Sequence, residues 1–504
     1  MLARTTTVAF EGLEARPVDV QCAVSPGLPG FSIVGLPDKA VSEARDRIRT
    51  ALSELSIALP SKKVTVNLSP ADLPKEGAHF DLPIALSLLA ALEIVPPTKL
   101  TQAVSIGEMS LDGALVPVVG ALPSALTAGA LGSVLYCPSA CGAEAAWVDA
   151  TPVHAAPSLK ALIDHLTGVA PIDPAKPGRL PDTPAGPCLR DVRGQERAKR
   201  ALEIAAAGRH HLFLVGPPGA GKSMLAARLP GLLPPLSARE ALDTSMIHSL
   251  AGTLEEGGIL YRRPFQEPHH TASVAAIVGG GKRAGPGQVS LAHNGVLFMD
   301  EFPEFPRAVL ETLRQPIETG EVVIARANAH VRYPCRFLLI AAANPCRCGM
   351  LYDANAACSR APVCGEDYMS RVSGPLMDRF DLRLEVPAVD VSDLSLPPSG
   401  DTSATVAGRV AAAREIQADR YKGQPDIQVN ADISGDDLMA VATTDADGQD
   451  ILNQAADRFR LTARGYHRVL KVARTIADLA GVETVGRPHI AEALSYRLIA
   501  ARDT

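Results

Sequence analysis

No stretch of this 504-residue chain reaches the ~18 uninterrupted apolar residues that a membrane-spanning helix requires. The closest, Leu82 to Val95, is broken by Pro83, Ser87 and Glu93. The N-terminus, MLARTTTVAFEG, lacks the apolar stretch of a secretory signal. The chain therefore reads as cytoplasmic, without a membrane partner and with reduced thiols. An excess of positive charge is also missing: 49 Lys and Arg stand against 55 Asp and Glu, a formal net charge of −6. A nucleic-acid partner would need a local basic patch. There is no tandem repeat of fixed period.

What is present is ample apolar content with modest charge, which indicates full globular cores. At ~150 residues per domain, the length suggests about three domains. Two proline-rich stretches divide the chain, PIDPAKPGRLPDTPAGP from Pro171 and PAVDVSDLSLPPSGDTS from Pro387. The expected layout is a unit over 1–170, a linker over 171–188, a core over 189–386, a second linker over 387–403 and a helical unit over 404–504. The first unit mixes strand-like runs (Phe31 to Val34, Val64 to Leu68) with helical ones (Asp38 to Leu55, Leu82 to Leu92). The core alternates apolar strands (His211 to Val215, Gly295 to Met299, Phe337 to Ala341) with helical segments, the pattern of a parallel α/β sheet. The last unit reads as helices over Val406 to Tyr421, Asp447 to Leu461, Ala463 to Ala480 and Arg487 to Ala500.

The chemistry is announced by Gly216-Pro217-Pro218-Gly219-Ala220-Gly221-Lys222-Ser223, a complete phosphate loop between the apolar strand HLFLV and the helical run MLAARL. Its glycines let backbone N–H groups curl around phosphates, aided by the following helix N-terminus. Lys222 should reach the β and γ phosphates of ATP, and Ser223 should hold Mg²⁺. The strand VLFM ends in Asp300 and Glu301. Asp300 would complete the Mg²⁺ site and Glu301 would polarise the attacking water. Asn344, at the end of a further strand, would position that water.

NGVLFMDEFPEF, RPFQEPHHT, AAANPCRCG and SGPLMDRFDL together resemble the magnesium-chelatase-like AAA+ proteins of the ComM (YifB) type. The likeness runs from GLPGFSIVGLPDKAV to TARGYHRVLKVARTIADLAG. It implies an AAA+ P-loop NTPase core with a C-terminal helical lid domain. It also implies a hexameric DNA helicase that drives branch migration during natural transformation, with recombination proteins as possible partners. Arg379 in DRFD matches the arginine finger that completes a neighbour's ATP site, and Arg464 in TARGY matches the sensor-2 arginine of the lid. Both roles suit a planar guanidinium. Related ring motors also place a hairpin at Glu321 to Tyr333, which here reads as two short strands. Its tip is Arg326 to Asn328, with Arg326 the best phosphate contact. The glycine-rich GGGKRAGPG offers Lys282 and Arg283 as a second DNA contact.

Several features stay open at this level. Arg464, Arg468, Lys471 and Arg474 recur at helical spacing, either as a phosphate-facing stripe or as a solvated basic face. His269 and His270 match the family's PHHT segment and could bind metal, contact DNA or satisfy local hydrogen bonds. Cys346, Cys348, Cys358 and Cys364 suggest structural zinc. The family typically has a second C-x-C, however, and Arg360 occupies its last position. Free thiols are the alternative.

The N-terminal unit resembles the proteolytic α+β domain of Lon through PKEGAHFDLPIAL and GEMSLDGALVPVVGALPSALTAG. His79 aligns with Lon's serine, and Leu122, Pro123 and Ser124 occupy the region of its lysine. Without either dyad member, peptide cleavage has no mechanism. Competing expectations are a magnesium chelatase motor for metal insertion into a porphyrin, an ATP-dependent protease and a non-enzymatic ATP-binding scaffold.

Overall fold

The computed structural model describes residues 2–179, 186–254, 258–281, 284–326, 329–351, 358–389, 400–424 and 426–497. The chain is mixed α/β. Its N-terminal unit opens with β1 (Leu2–Glu11) and β2 (Glu14–Ser25), a long antiparallel hairpin turning at Gly12. It continues with β3 (Gly30–Val34), β4 (Lys63–Ser69), β5 (Ala103–Ser105), β6 (Glu108–Met109), β7 (Leu115–Val116), β8 (Val134–Pro138) and β9 (Val153–Ala156). Seven of these strands form one sheet in the order β3-β4-β2-β1-β5-β8-β9. The helix expected from Asp38 runs over Lys39–Glu54, because the Asp38 carboxylate caps it by accepting from the Val41 N–H at 2.7 Å. The helix Asp81–Ala91 is buried along its whole length, which explains its unbroken apolar sequence.

The core contains β10 (Leu212–Val215), β11 (Phe265–Gln266), β12 (Gly279–Gly280), β13 (Gly285–Pro286), β14 (Val296–Met299), β15 (Glu321–Arg326), β16 (Ala329–Pro334), β17 (Leu338–Ala343) and β18 (Leu382–Glu385). Five form a parallel sheet in the order β11-β14-β17-β10-β18. Its strands are continuous apolar runs because helices cover both faces. One face shares a core with the C-terminal helices Ser403–Arg420, Ala446–Phe459, Ala463–Leu479 and Arg487–Ser495.

The two α/β units pack on each other. Leu242 and Met246, on the helix Ala238–Ala251 of the core, join the apolar cluster of the N-terminal unit. Half-buried Glu144 accepts from the Leu122 N–H at 2.9 Å and from the Ser249 hydroxyl. The β1–β2 turn meets the β15–β16 hairpin: a Cβ at Gly12 would lie 3.0 Å from the Arg332 carbonyl oxygen. Part of the first expected linker is also pinned. His154 bonds the Ile172 carbonyl, and the Ala175 N–H donates to Val153. Among the described residues, no helix is long and apolar enough to cross a membrane.

One buried group ties stability to pH. His293 is 5% exposed, and its Nδ1 accepts from the Arg336 N–H at 3.0 Å, which requires a neutral ring at that nitrogen. Burial, reinforced by Arg209 and Arg336, pushes its pKa down to about 3. The unfolded chain therefore takes the proton first. Stability is full above ~6.5 and falls as pH drops from there towards the folded value, by roughly 1.4 kcal/mol per unit for this one group. Melting temperatures between pH 7.5 and 5 should fall less in His293→Gln than in the wild type. An equal slope in both would remove His293 from the account.

Candidate functional site

The phosphate loop leaves β10 at its C-terminal end. Gly216 has no alternative there, because a Cβ would sit 2.2 Å from the Val386 carbonyl oxygen. Gly219 and Gly221 take φ of 77° and 86°, the left-handed region that lets the loop curl. Lys222 is 8% exposed and donates to the carbonyls of Gly216 (2.7 Å) and Pro217 (2.9 Å) and to Asn344 Oδ1 (3.1 Å). Burial lowers its pKa, opposed by the nearby charges of Asp300 and Glu301. The helix after the loop is short, Lys222–Ala226, so the run MLAARL is only partly helical.

The parallel strands β10, β17 and β14 end on the same side of the sheet, which brings the acids beside the loop. Ser223 Oγ donates to Asp300 Oδ2 at 2.8 Å, an all-oxygen pair of the kind a hard cation selects. The Asp300 Oδ1 accepts from the Glu301 N–H at 2.8 Å. Glu301 is exposed and has φ 49°, a left-handed conformation unusual for a non-glycine residue. Its Oε2 lies 3.1 Å from His270 Nδ1. The structure thus joins Lys222, Ser223, Asp300, Glu301 and Asn344, and adds His270. Gln195 was missed by motif reading. Its Nε2 donates to the Pro387 carbonyl at 2.7 Å and the Ala220 carbonyl at 3.5 Å, tying the loop to the chain after β18. Its left-handed backbone, φ 59°, leaves no local sequence signature beyond the GQER run.

The two arginines lie elsewhere. Arg379 and Arg464 line a polar cavity of about 470 Å³ with His211, Phe337, Glu318 and Arg468. His211 and Phe337 stand at the N-terminal ends of β10 and β17, the opposite end of the sheet from the phosphate loop. Five residue steps of extended chain run from His211 to Gly216, ~16 Å. Arg379 is 5% exposed, pairs with Glu318 and donates to the Pro375 carbonyl. Burial lowers its pKa, partly offset by Glu318. Arg464 is therefore grouped with Arg379, and neither reaches Lys222 of its own chain.

The basic stripe is largely structural. Arg468 donates to the Arg379 carbonyl and pairs with buried Asp381. Lys471 donates to the Ala431 carbonyl at 2.9 Å. Arg474, 2% exposed, pairs with Asp478 at 2.9 Å and caps the carbonyls of Val482 and Glu483. Burial alone would raise the Asp381 pKa, but Arg468, His210 and His211 hold it well below the usual carboxylate range. Three of the four expected stripe cations thus bind the helical unit together or stitch it to the core, and only Arg464 remains as a candidate phosphate ligand.

The cysteine loop packs against the phosphate loop, where a Cβ at Gly349 would meet Pro218 at 2.6 Å. Cys346 and Cys348 approach to 3.2 Å between sulfurs. Cys358 and Cys364 interact with that pair, and burial pushes the Cys364 thiol up to about 11, favouring the protonated form. Among the described residues, no three ligating side chains take a metal-binding arrangement. The zinc site expected from Cys346, Cys348, Cys358 and Cys364 finds no support in this arrangement, in which the thiols interact with one another. Arg360, at the position of the missing cysteine, pairs with Asp367 at 2.7 Å. The expected hairpin forms, with Arg326 paired to Ala329 at its end. The rest of its tip, 327 and 328, and the candidates Lys282 and Arg283 lie outside the described residues.

Comparison with known proteins places these features in a family. The family model described as "Magnesium chelatase, subunit ChlI" matches residues 188–394. "Subunit ChlI of Mg-chelatase" matches 20–139, and the corresponding C-terminal model matches 400–497. The YifB protein of Salmonella typhimurium is 43% identical over 499 residues, 99% of this chain and 97% of its own length. The "Competence protein ComM" of Haemophilus influenzae is 42% identical over 502 residues, 98% and 97% of the two chains. The "Magnesium-chelatase 38 kDa subunit" of Rhodobacter capsulatus is 28% identical over 365 residues, 66% of this chain and 93% of its own.

Proposed function

Because the chain belongs to the magnesium-chelatase-like family of the ComM/YifB type, we propose that it is an AAA+ ATPase whose hydrolysis of Mg²⁺-ATP drives translocation on branched or single-stranded DNA. The carrying observation is the split of the hydrolytic machinery. Lys222, Ser223, Asp300 and Glu301 lie at one end of the parallel sheet, and Arg379 and Arg464 at the other. One chain lacks a complete site of its own; a closed ring, here a homo-hexamer, unites the two ends across each interface.

In this reading the loop N–H groups and Lys222 bind the phosphates, and Ser223 and Asp300 hold Mg²⁺. Glu301 takes the proton of the attacking water, Asn344 orients that water, and a neighbour's Arg379 and Arg464 neutralise charge developing on the transferred phosphoryl group. The C-terminal helices act as the lid. The N-terminal unit serves as an assembly or partner-binding domain rather than a protease. His79, at the position of Lon's serine, bonds the Val8 carbonyl at 2.9 Å, and Ser124 bonds the Gly120 carbonyl.

The near-complete match to a competence protein supports a role in natural transformation through branch migration and DNA recombination. The family models' descriptions keep one alternative, a motor subunit for metal insertion into a porphyrin. ATPase rates with forked or four-way DNA, and separately with a chelatase partner, decide between them. Strong stimulation by DNA supports the first reading; stimulation by the chelatase partner alone overturns it. Arg326→Ala should lower the DNA-stimulated component and flatten its dependence on salt by about one phosphate contact. An unchanged salt slope would remove Arg326 from the DNA path.

A further inference from the structure

A cavity of about 680 Å³ lies in the seam between the N-terminal unit and the core, within the size range that small organic ligands occupy. The N-terminal unit lines it with the β1–β2 turn, the segment from Leu73 to His79 and the chain that follows β7. The core lines it with the β12–β13 ribbon and the β15–β16 hairpin. Two of its walls are rigid aromatic rings. Tyr333, 4% exposed, donates its hydroxyl to the Ala284 carbonyl at 3.1 Å, which leaves the ring as a surface. His79, 5% exposed, is held by its Nε2–H on the Val8 carbonyl at 2.9 Å, and its ring lies 5.2 Å from that of Phe10, which also lines the cavity.

The charge on these walls has one sign. Glu11, Glu76 and Glu108 line the cavity, and among its described lining residues there is no Lys or Arg. Glu11 is compensated by Arg16 at 2.8 Å. Exposed Glu76 and half-buried Glu108 form no ion pair among the described residues. Arg47, whose charge Glu108 feels, is engaged by Asp81 through two nitrogens at 2.6 and 2.8 Å.

We propose that this cavity is a binding site for an organic cation, an ammonium or guanidinium carried on an apolar body. The faces of Phe10 and Tyr333 attract a cation through their ring quadrupoles, and Glu76 and Glu108 supply charge-assisted acceptors. Leu73, Val118 and Val331 take up the apolar body. A bare metal ion is not served, since among the described residues no three ligating side chains gather to hold one. Nucleotides and DNA are repelled by the same carboxylates, so the site is separate from the phosphate-binding machinery. The inference does not rest on the ATPase reading, because neither Lys222 nor Arg379 lines this cavity.

The cation can reach the seam as a free amine or as a basic side chain of a peptide, and the test separates the two. Full-length protein is titrated calorimetrically with phenylbutylamine, with the capped dipeptide acetyl-Phe-Arg-amide and with neutral phenylbutanol. At least one cation should bind saturably, roughly ten-fold or more tightly than the alcohol. Glu108→Gln should weaken that binding about ten-fold and exposed Glu76→Gln a few-fold, with unchanged melting temperatures because both substitutions keep the side-chain shape. Tighter binding of the dipeptide supports a seat for a partner's basic residue; tighter binding of the amine supports a small-molecule site. The proposal is overturned if neither cation binds, if the alcohol binds equally well, or if affinity is unaltered in the folded double variant Glu76→Gln, Glu108→Gln.

Discussion

Glu301→Gln should bind ATP with near wild-type affinity and hydrolyse it at least ~100-fold more slowly, because a positioned general base is worth ~10²–10⁴ in rate. The structure separates the two effects. In the proposed cycle, phosphate and metal binding fall to the loop, Lys222, Ser223 and Asp300, and the Ser223–Asp300 bond does not involve the Glu301 side chain. Asp300 holds Glu301 only through the backbone N–H, which the substitution leaves intact. The amide can still meet His270, so the local fold should survive. Single-turnover hydrolysis and nucleotide titration measure the two halves. Turnover within a few-fold of wild type would remove Glu301 as the base. Loss of ATP binding would instead mean that the acid pair holds the metal jointly.

Subunits carrying Arg379→Ala and subunits carrying Lys222→Ala should each be nearly inactive alone and regain ATPase activity when mixed. An arginine supplied across an interface stabilises phosphoryl transfer by ~10³–10⁵ in rate. Its removal should therefore cost hydrolysis far more than binding. Arg379 pairs with Glu318 at the N-terminal end of the sheet, in the cavity it shares with Arg464. No rotamer of that side chain can cross the ~16 Å of strand to its own phosphate loop. In a mixed ring, some interfaces combine an intact Lys222 loop with an intact Arg379 from the neighbour, and those interfaces supply the recovered rate. The prediction fails if verified co-assembled, ATP-binding mixtures stay inactive, which would require either a cis role or concerted hydrolysis blocked by one dead site. A monomer with full activity would reject the ring. Arg464→Ala should complement in the same pattern, since the two arginines share one cavity.

The phosphate loop, its strand and the acid pair were legible because their chemistry is local. Gly219 and Gly221 need left-handed backbone where they stand, and VLFM must be buried before Asp300 can be presented at its end. The helix from Asp38 was legible for the same reason, with cap and apolar spacing lying within one segment. The stripe Arg464, Arg468, Lys471 and Arg474 was not. Periodicity locates a cationic face but cannot say whether Asp381, Asp478 or a backbone carbonyl waits opposite, and those partners come from other segments. The zinc expectation found no support for a similar reason, since spacing in sequence does not fix the geometry in which four sulfurs meet.

By itself, then, the sequence determined the phosphate-loop motif and the buried strand that presents the acid pair, because the loop's backbone conformation depends on a few neighbouring residues. Only the tertiary structure decided which cations remain available, that Arg464 sits with Arg379 and not with Lys222, and that His270 reaches Glu301. Each of those outcomes depends on which distant segments exclude water from a charge. Desolvation by a partner far along the chain leaves no trace in the spacing of the residues it pairs.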